Sequence, residues 1–170
     1  MFLVVAYVVF GMSGSRTDRN LERVLLVTSM GNITVELLGD MPVTSENFKN
    51  LTMHGVFNGT IFHRVVPDFV IQGGDANAKG IIVPTIRDEL PNKHSNVRGC
   101  VAMAKTNEPN SATSQFYVNL KDNVRLDSNY SVFGAVVDGM SVVDAIGSVA
   151  ADASDKPLQD VTLIRAELIK

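Results

Sequence analysis

The sequence has one cysteine, no tryptophan and only three histidines among its 170 residues. A single cysteine, Cys100, excludes an internal disulfide, and its place in an apolar run favours a buried, unreactive thiol. His54, His63 and His94 lack the close spacing of zinc ligands, and the sequence has no Walker-type phosphate-binding loop. The sequence therefore indicates no metal site and no cofactor.

A strongly basic segment is also absent. The net charge is -3 and no basic run occurs, so nucleic acid is not predicted as a partner. With 170 residues, 45% of them hydrophobic, the chain can form one globular domain with a sizeable core. We assign this domain to residues 21–170 and treat residues 1–20 as an N-terminal segment.

The N-terminal segment is apolar as far as Met12 and polar beyond it. Its apolar part is too short for a stable membrane span. It has the apolar core of a secretory signal, but no Lys or Arg precedes that core. A cytoplasmic extension, export and a misplaced start codon are therefore alternatives. We favour a cytoplasmic location, with export by a signal segment as the competing prediction.

Residues 61–75 form the most informative stretch of the chain. Two apolar, β-branched runs flank Pro67-Asp68, which predicts two strands joined by a turn. Arg64 and Gln72 are polar residues in these runs, and strand periodicity places Arg64 on one face with Phe62 and Val66. Arg64 and Gln72 either face water at a strand end or present their donors at a binding site.

The remaining patterns predict mainly short antiparallel strands and two short helices. Gly31 suggests a tight hairpin between two early strands, and residues 161–169 alternate as a last strand that can pair with the first. One helix is predicted between Pro42 and Gly55 with Thr44 as its N-cap, and another follows Gly139. These elements predict a closed barrel with helices covering its ends.

Three longer motifs occur in order along the chain. They are FHRVVPDFVIQGGD at 62–75, VAMAKTNEPNSATSQFYVNL at 101–120, and Leu126-Asp127 followed by Val132-Phe133-Gly134. In these motifs the chain resembles the cyclophilin family of peptidyl-prolyl cis-trans isomerases from Val24 to the C-terminus. The resemblance implies a mainly β fold, a closed eight-stranded antiparallel barrel, with the active site on its outer surface.

The resemblance also implies an enzyme that accelerates rotation about Xaa-Pro peptide bonds and assists protein folding. It implies proline-containing peptides and unfolded proteins as partners, and we expect a monomer. The implied catalytic residues are Arg64, Gln72 and Phe69. The implied substrate-binding residues are His63, Val70, Ala104, Gln115, Tyr117, Leu126 and Tyr130.

Two positions depart from the family pattern. Many relatives carry Trp or Phe where this chain has Arg125, which argues against binding of the family's inhibitor cyclosporin. Tyr130 occupies a position where relatives often have His.

Two other functional hypotheses stay open. One is a non-catalytic module or holdase that binds proline segments in the same groove, and the other is a barrel that holds a small ligand in its interior.

Overall fold

The computed structural model of the protein describes residues 22–169. The predicted N-terminal segment, and with it the choice between a cytoplasmic and an exported protein, lies outside the described residues. Among residues 22–169, no helix is both long enough and apolar enough to cross a membrane.

Nine short strands and two α-helices make up the described chain. The strands are β1 (Arg23–Thr28), β2 (Gly31–Leu37), β3 (Thr60–Ile61), β4 (Arg64–Val66), β5 (Val70–Gly73), β6 (Cys100–Met103), β7 (Phe116–Asn119), β8 (Val132–Asp138) and β9 (Thr162–Ile169). The helices are α1 (Pro42–Met53) and α2 (Met140–Gly147), and 3-10 turns occur at Asn77–Lys79 and Val124–Leu126.

The strands form one sheet in the order β3-β9-β1-β2-β8-β6-β7-β5-β4, and every strand pair is antiparallel. As predicted, β1 pairs with β2 across the turn before Gly31, and the last strand pairs with the first. The two edges of the sheet, β3 and β4, are separated in sequence only by Phe62 and His63. The predicted mainly β fold, an antiparallel sheet with two helices, is confirmed. The sheet has nine strands rather than the predicted eight, because residues 60–66 form two short strands, β3 and β4, with a break between them.

The interruption corrects one detail of the sequence analysis. Phe62 does not share a face with Arg64: it is buried in the core, with its ring 6.2 Å from the ring of Phe116 in an edge-on contact. Val65 is also fully buried. Two inward residues three positions apart cannot belong to one regular strand, in which successive side chains alternate. The break between β3 and β4 is what turns Arg64 outward.

Aromatic side chains fill the interior of the barrel. Phe48 of α1 contacts three other rings, those of Phe57, Phe116 and Phe133, with centroids 4.8–5.2 Å apart. Aliphatic side chains from the strands and Ile146 of α2 complete the same cluster. The ligand-holding interior that the sequence left open is therefore occupied by the core of the protein.

The start of α1 also differs from the prediction. The N-cap position is Met41, with Pro42 at the first turn, and Thr44 lies inside the helix. The carboxylate of Glu89 accepts hydrogen bonds from the backbone N–H groups of Val43 (3.0 Å) and Thr44 (2.8 Å). A distant side chain thus satisfies the free amides of this helix end, which a local cap would otherwise bind.

Candidate active site

The hairpin of β4 and β5 places the predicted site on the outside of the barrel. Pro67 and Asp68 form its turn, with Asp68 at φ 55° and the N–H of Phe69 donating to the carbonyl oxygen of Val66 at 3.1 Å. The register sets Arg64 directly opposite Gln72. Because alternate side chains point to opposite faces, these two lie on one face of the hairpin.

A pocket of about 200 Å³ opens on this outer face. A second apolar cluster, separate from the barrel core, forms its floor and walls. Eight of the ten predicted site residues line the pocket: Arg64, Phe69, Val70, Gln72, Ala104, Tyr117, Leu126 and Tyr130. Lys105 lines it as well and was not predicted.

The other two predicted residues lie beside this pocket. Gln115 accepts a hydrogen bond from the side-chain amide of Gln72 at 2.8 Å, so it supports a pocket residue. His63 lines a separate depression together with Asp75 and Lys79. Burial lowers the pKa of His63 below its ordinary value, and the nearby carboxylate of Asp75 offsets this effect only in part. His63 is therefore neutral at pH 7.

Backbone contacts fix the position of Phe69. Its carbonyl oxygen accepts hydrogen bonds from the backbone N–H of Leu120 at 2.9 Å and from the side-chain amide of Asn123 at 3.0 Å. The guanidinium of Arg125 lies over the Phe69 ring, 4.9 Å from its centroid, which is the distance of a cation–π contact. One wall of the pocket is thus an aromatic ring with a cation on its outer side.

The neighbouring residues Leu126 and Asp127 contact different parts of the structure, the pocket and the loop before β6. Leu126 lines the pocket, while the carboxylate of Asp127 accepts hydrogen bonds from Ser95 and from the backbone (2.7 Å) and side-chain (2.9 Å) N–H groups of Asn96. Burial raises the pKa of Asp127, but these hydrogen bonds outweigh it and leave the pKa below the ordinary value. An ionised Asp127 therefore holds Leu126 in place.

Two tyrosines form the opposite side of the pocket. The rings of Tyr117 and Tyr130 meet edge to face at 5.9 Å. The Tyr117 hydroxyl donates to the side-chain oxygen of buried Asn96 at 2.7 Å. Burial raises the pKa of Tyr117 far above its usual range, so this hydroxyl stays protonated and acts as a donor. These rings supply apolar surface and rigidity to the pocket.

Two carboxylates that contact the cations of the pocket escaped the sequence analysis. The Arg64 guanidinium contacts Asp155, with Nε and Oδ2 3.3 Å apart. The Lys105 ammonium contacts Asp88 at 2.9 Å, and both of these side chains are largely buried. Lys105 lies inside the second motif, two residues after β6, and could have been found from that position. Asp155 lies in a distant polar loop, and no local pattern marks it.

The chemistry available in the pocket is that of charged and amide hydrogen-bond donors beside apolar surface. Within residues 22–169, no group of three or more His, Cys, Asp or Glu side chains is arranged to hold a metal ion. Arg64 and Gln72 face a pocket shaped by aromatic and aliphatic side chains. Such a pocket can bind an apolar group and direct charged and amide hydrogen-bond donors at it.

Comparison with known proteins agrees with this geometry. Residues 23–168 match the family model described as cyclophilin type peptidyl-prolyl cis-trans isomerase/CLD. The chain is 41% identical over 155 residues to a peptidyl-prolyl cis-trans isomerase of Acinetobacter baylyi, covering 83% of this chain and 82% of the relative. It is 42% identical over 161 residues to one of Streptomyces antibioticus, covering 85% of this chain and 96% of the relative.

A solved structure shows the same fold. A cyclophilin type peptidyl-prolyl cis-trans isomerase of Cryptosporidium parvum, crystallised in the presence of the dipeptide Ala-Pro, superposes with a TM-score of 0.81 at 27% identity. The match covers 87% of this chain and 99% of the other. Together with the family match and the curated relatives, this likeness shows that the chain belongs to the cyclophilin-type peptidyl-prolyl cis-trans isomerases.

Proposed function

We propose that the outer-face pocket is the active site of this isomerase, that it binds the proline ring of an Xaa-Pro segment, and that Arg64 promotes rotation about the preceding peptide bond. The observation that supports this best is the position of Arg64, a permanently charged donor that lines a pocket together with aromatic and aliphatic side chains. Proline-containing peptides and unfolded proteins are the proposed substrates. Crystallisation of the C. parvum relative in the presence of Ala-Pro supports that choice.

The chemistry of the bond explains why a cation is useful there. Rotation must break amide resonance, against a barrier of roughly 18–20 kcal/mol. As resonance is lost, the proline nitrogen becomes pyramidal and gains a lone pair. A donor aimed at that nitrogen interacts mainly with the rotated state, and an interaction confined to the transition state raises the rate.

The surroundings of Arg64 leave its donors available. Asp155 contacts Nε, and across residues 22–169 no side chain or backbone group accepts a hydrogen bond from either terminal nitrogen. Gln72, opposite Arg64 and bonded to Gln115, is placed to orient the guanidinium or to hold a substrate carbonyl.

Arg64 accounts for only part of the acceleration. A hydrogen bond to a charged group contributes about 1.5–3 kcal/mol, or roughly ten- to a hundredfold in rate. The remainder is assigned to the pocket, where Phe69, Leu126 and Tyr117 enclose the ring and exclude water. The chain on one side of the prolyl bond is then fixed while the other side turns.

NMR exchange spectroscopy on a short Xaa-Pro peptide tests the proposal. Uncatalysed interconversion takes tens of seconds or longer, so acceleration is measured directly. We expect Arg64→Ala to remove most of the activity and Arg64→Lys to retain a small part. Arg165→Ala is the matched control, because this exposed arginine pairs with Glu167 on β9. Full activity of folded Arg64→Ala would refute the role of Arg64.

We also propose that this protein does not bind cyclosporin tightly. Arg125 replaces the Trp or Phe of relatives and lies over Phe69, so a permanently charged group stands where relatives have an aromatic ring. Titration of the wild type with cyclosporin, followed by the activity assay, measures this. Inhibition at a stoichiometric concentration would contradict the proposal.

A further inference from the structure

We infer that Asp155 is a positioning residue of the active site, which fixes the orientation of the Arg64 guanidinium through Nε. The inference rests on the proposed function of Arg64 and extends it to a residue outside the pocket. Asp155 Oδ2 lies 3.3 Å from Arg64 Nε, and about two fifths of each side chain is exposed. Asp155 does not line the pocket, so it acts through Arg64.

The loop that presents Asp155 is held against β4 by the backbone. The carbonyl oxygen of Asp155 accepts a hydrogen bond from the N–H of Val65 at 2.8 Å. Val65 pairs with β5 through the residue opposite it, Ile71. The same residue therefore contacts β4 twice, through its backbone at Val65 and through its carboxylate at Arg64.

The conformation of the loop is specified by its own hydrogen bonds. Asp152 Oδ1 accepts from the backbone N–H groups of Ser154 (2.8 Å) and Lys156 (3.0 Å), and the N–H of Asp155 donates to the carbonyl oxygen of Asp152 at 3.1 Å. Asp155 sits at φ 64°, in the left-handed region where Asp and Asn are among the tolerated side chains. The loop thus delivers a carboxylate to a defined place beside β4.

A fixed Nε contact has a consequence for catalysis. Arginine has several rotatable bonds, and a free side chain would spend much of its time turned away from the pocket. An ion pair at Nε leaves the two terminal nitrogens free to contact the substrate. It also restricts the Arg64 side chain beforehand, so that less conformational freedom is lost when the transition state forms. Gln72 lies opposite Arg64, but in the described chain its side-chain oxygen accepts no hydrogen bond from the guanidinium, and its amide nitrogen donates to Gln115. Within the described chain, Asp155 is the carboxylate that pairs with the guanidinium.

Two variants remove the carboxylate without straining the loop. Asn and Gly both accept a positive φ, so Asp155→Asn and Asp155→Gly preserve the backbone that Asp155→Ala would strain. Exposed ion pairs are weak, so we expect kcat/KM for an Xaa-Pro peptide to fall about two- to fivefold in both variants. The loss should appear in kcat, with KM nearly unchanged, because the apolar pocket is intact. Asp160→Asn, which removes the same charge from an exposed position nearby, should retain full activity.

A double-mutant cycle separates positioning from a general structural effect. In the Arg64→Ala background, Asp155→Asn should cause no further loss, because the group on which it acts is gone. The NMR resonance of the Arg64 Nε–H should shift in Asp155→Asn and stay unchanged in Asp160→Asn. Full kcat/KM in both Asp155 variants, or an equal loss in the Arg64→Ala background, would overturn the inference and leave the role of Arg64 standing. Full activity of Arg64→Ala would overturn both.

Discussion

Glu89 stabilises the start of α1 from a distant loop, and its replacement by glutamine should destabilise the whole domain. Its two carboxylate oxygens accept hydrogen bonds from the N–H groups of Val43 and Thr44, and the Thr44 hydroxyl also contacts it. Thr44 is 1% exposed, so water cannot replace a lost partner. Phe48, one turn further along, lies at the centre of the aromatic core, so this helix end and the core are linked.

The expected loss follows from these contacts. A helix N-cap contributes about 1 kcal/mol, and a buried polar group left without a partner costs about 1–3 kcal/mol. Glutamine keeps one oxygen for one of the two N–H groups and turns an NH2 group toward the other. We therefore expect Glu89→Gln to lower the free energy of unfolding by about 2 kcal/mol, which corresponds to a Tm lower by roughly 4–8 °C for a domain of this size.

Urea denaturation at 25 °C measures this loss, and α1 itself offers a control. Glu46→Gln makes the same chemical change in an exposed side chain, whose carboxylate is 3.5 Å from Lys49. An exposed pair at this spacing contributes less than about 0.5 kcal/mol. Equal stabilities of Glu89→Gln and Glu46→Gln would show that Glu89 does not cap the helix.

Three further predictions concern the site. Because the pKa of His63 is lowered, the unfolded chain binds more protons below about pH 6.5, and stability falls as the pH drops through this range. In urea titrations at about pH 7.5 and about pH 5.5, His63→Gln should show a smaller difference than wild type, and an identical difference would contradict the prediction. Arg125→Ala should lower kcat/KM about two- to fivefold for peptides with an acidic residue beside proline, and less for neutral ones. Equal effects on both peptides, or a persistent difference at high salt, would exclude this electrostatic explanation. Tyr117→Phe should cost about 1–2 kcal/mol of stability because buried Asn96 loses a donor, and KM should not change. A raised KM would place the hydroxyl at the substrate instead.

The local patterns in the sequence predicted much of the fold. The turn before Gly31, the pairing of the first and last strands and the turn at Pro67 all depend on neighbouring residues or on period-two alternation. The prediction that Phe62 shares a face with Arg64 was wrong because the strand is broken between them, and Phe62 is buried against Phe116. The alternation pattern could not reveal this break, because apolar residues occur at both odd and even positions of the run.

The missed contacts share a different cause. Glu89 caps α1 and Asp155 contacts Arg64 across long separations in sequence, and each lies in a loop without periodic structure. An acidic residue in such a loop is usually solvated, so its type alone does not predict a partner. Asp88 and Glu89 are neighbours in an extended segment, so their side chains point apart: Asp88 pairs with Lys105, and Glu89 with the start of α1.

The outer-face pocket exists because strands β5, β7 and β6, adjacent in the sheet, carry apolar side chains on both faces. In β7, Phe116 and Val118 belong to the barrel core, while Tyr117 belongs to the outer cluster. The segment that carries Leu126 covers this second cluster only in part, which leaves room for a proline ring. In the proposed mechanism, binding draws on apolar contact that every prolyl peptide can make, whereas the rate depends on Arg64 and on the Asp155 carboxylate that orients it. Substitutions in the segment that carries Leu126 should therefore alter KM, and substitutions at the Arg64–Asp155 pair should alter kcat.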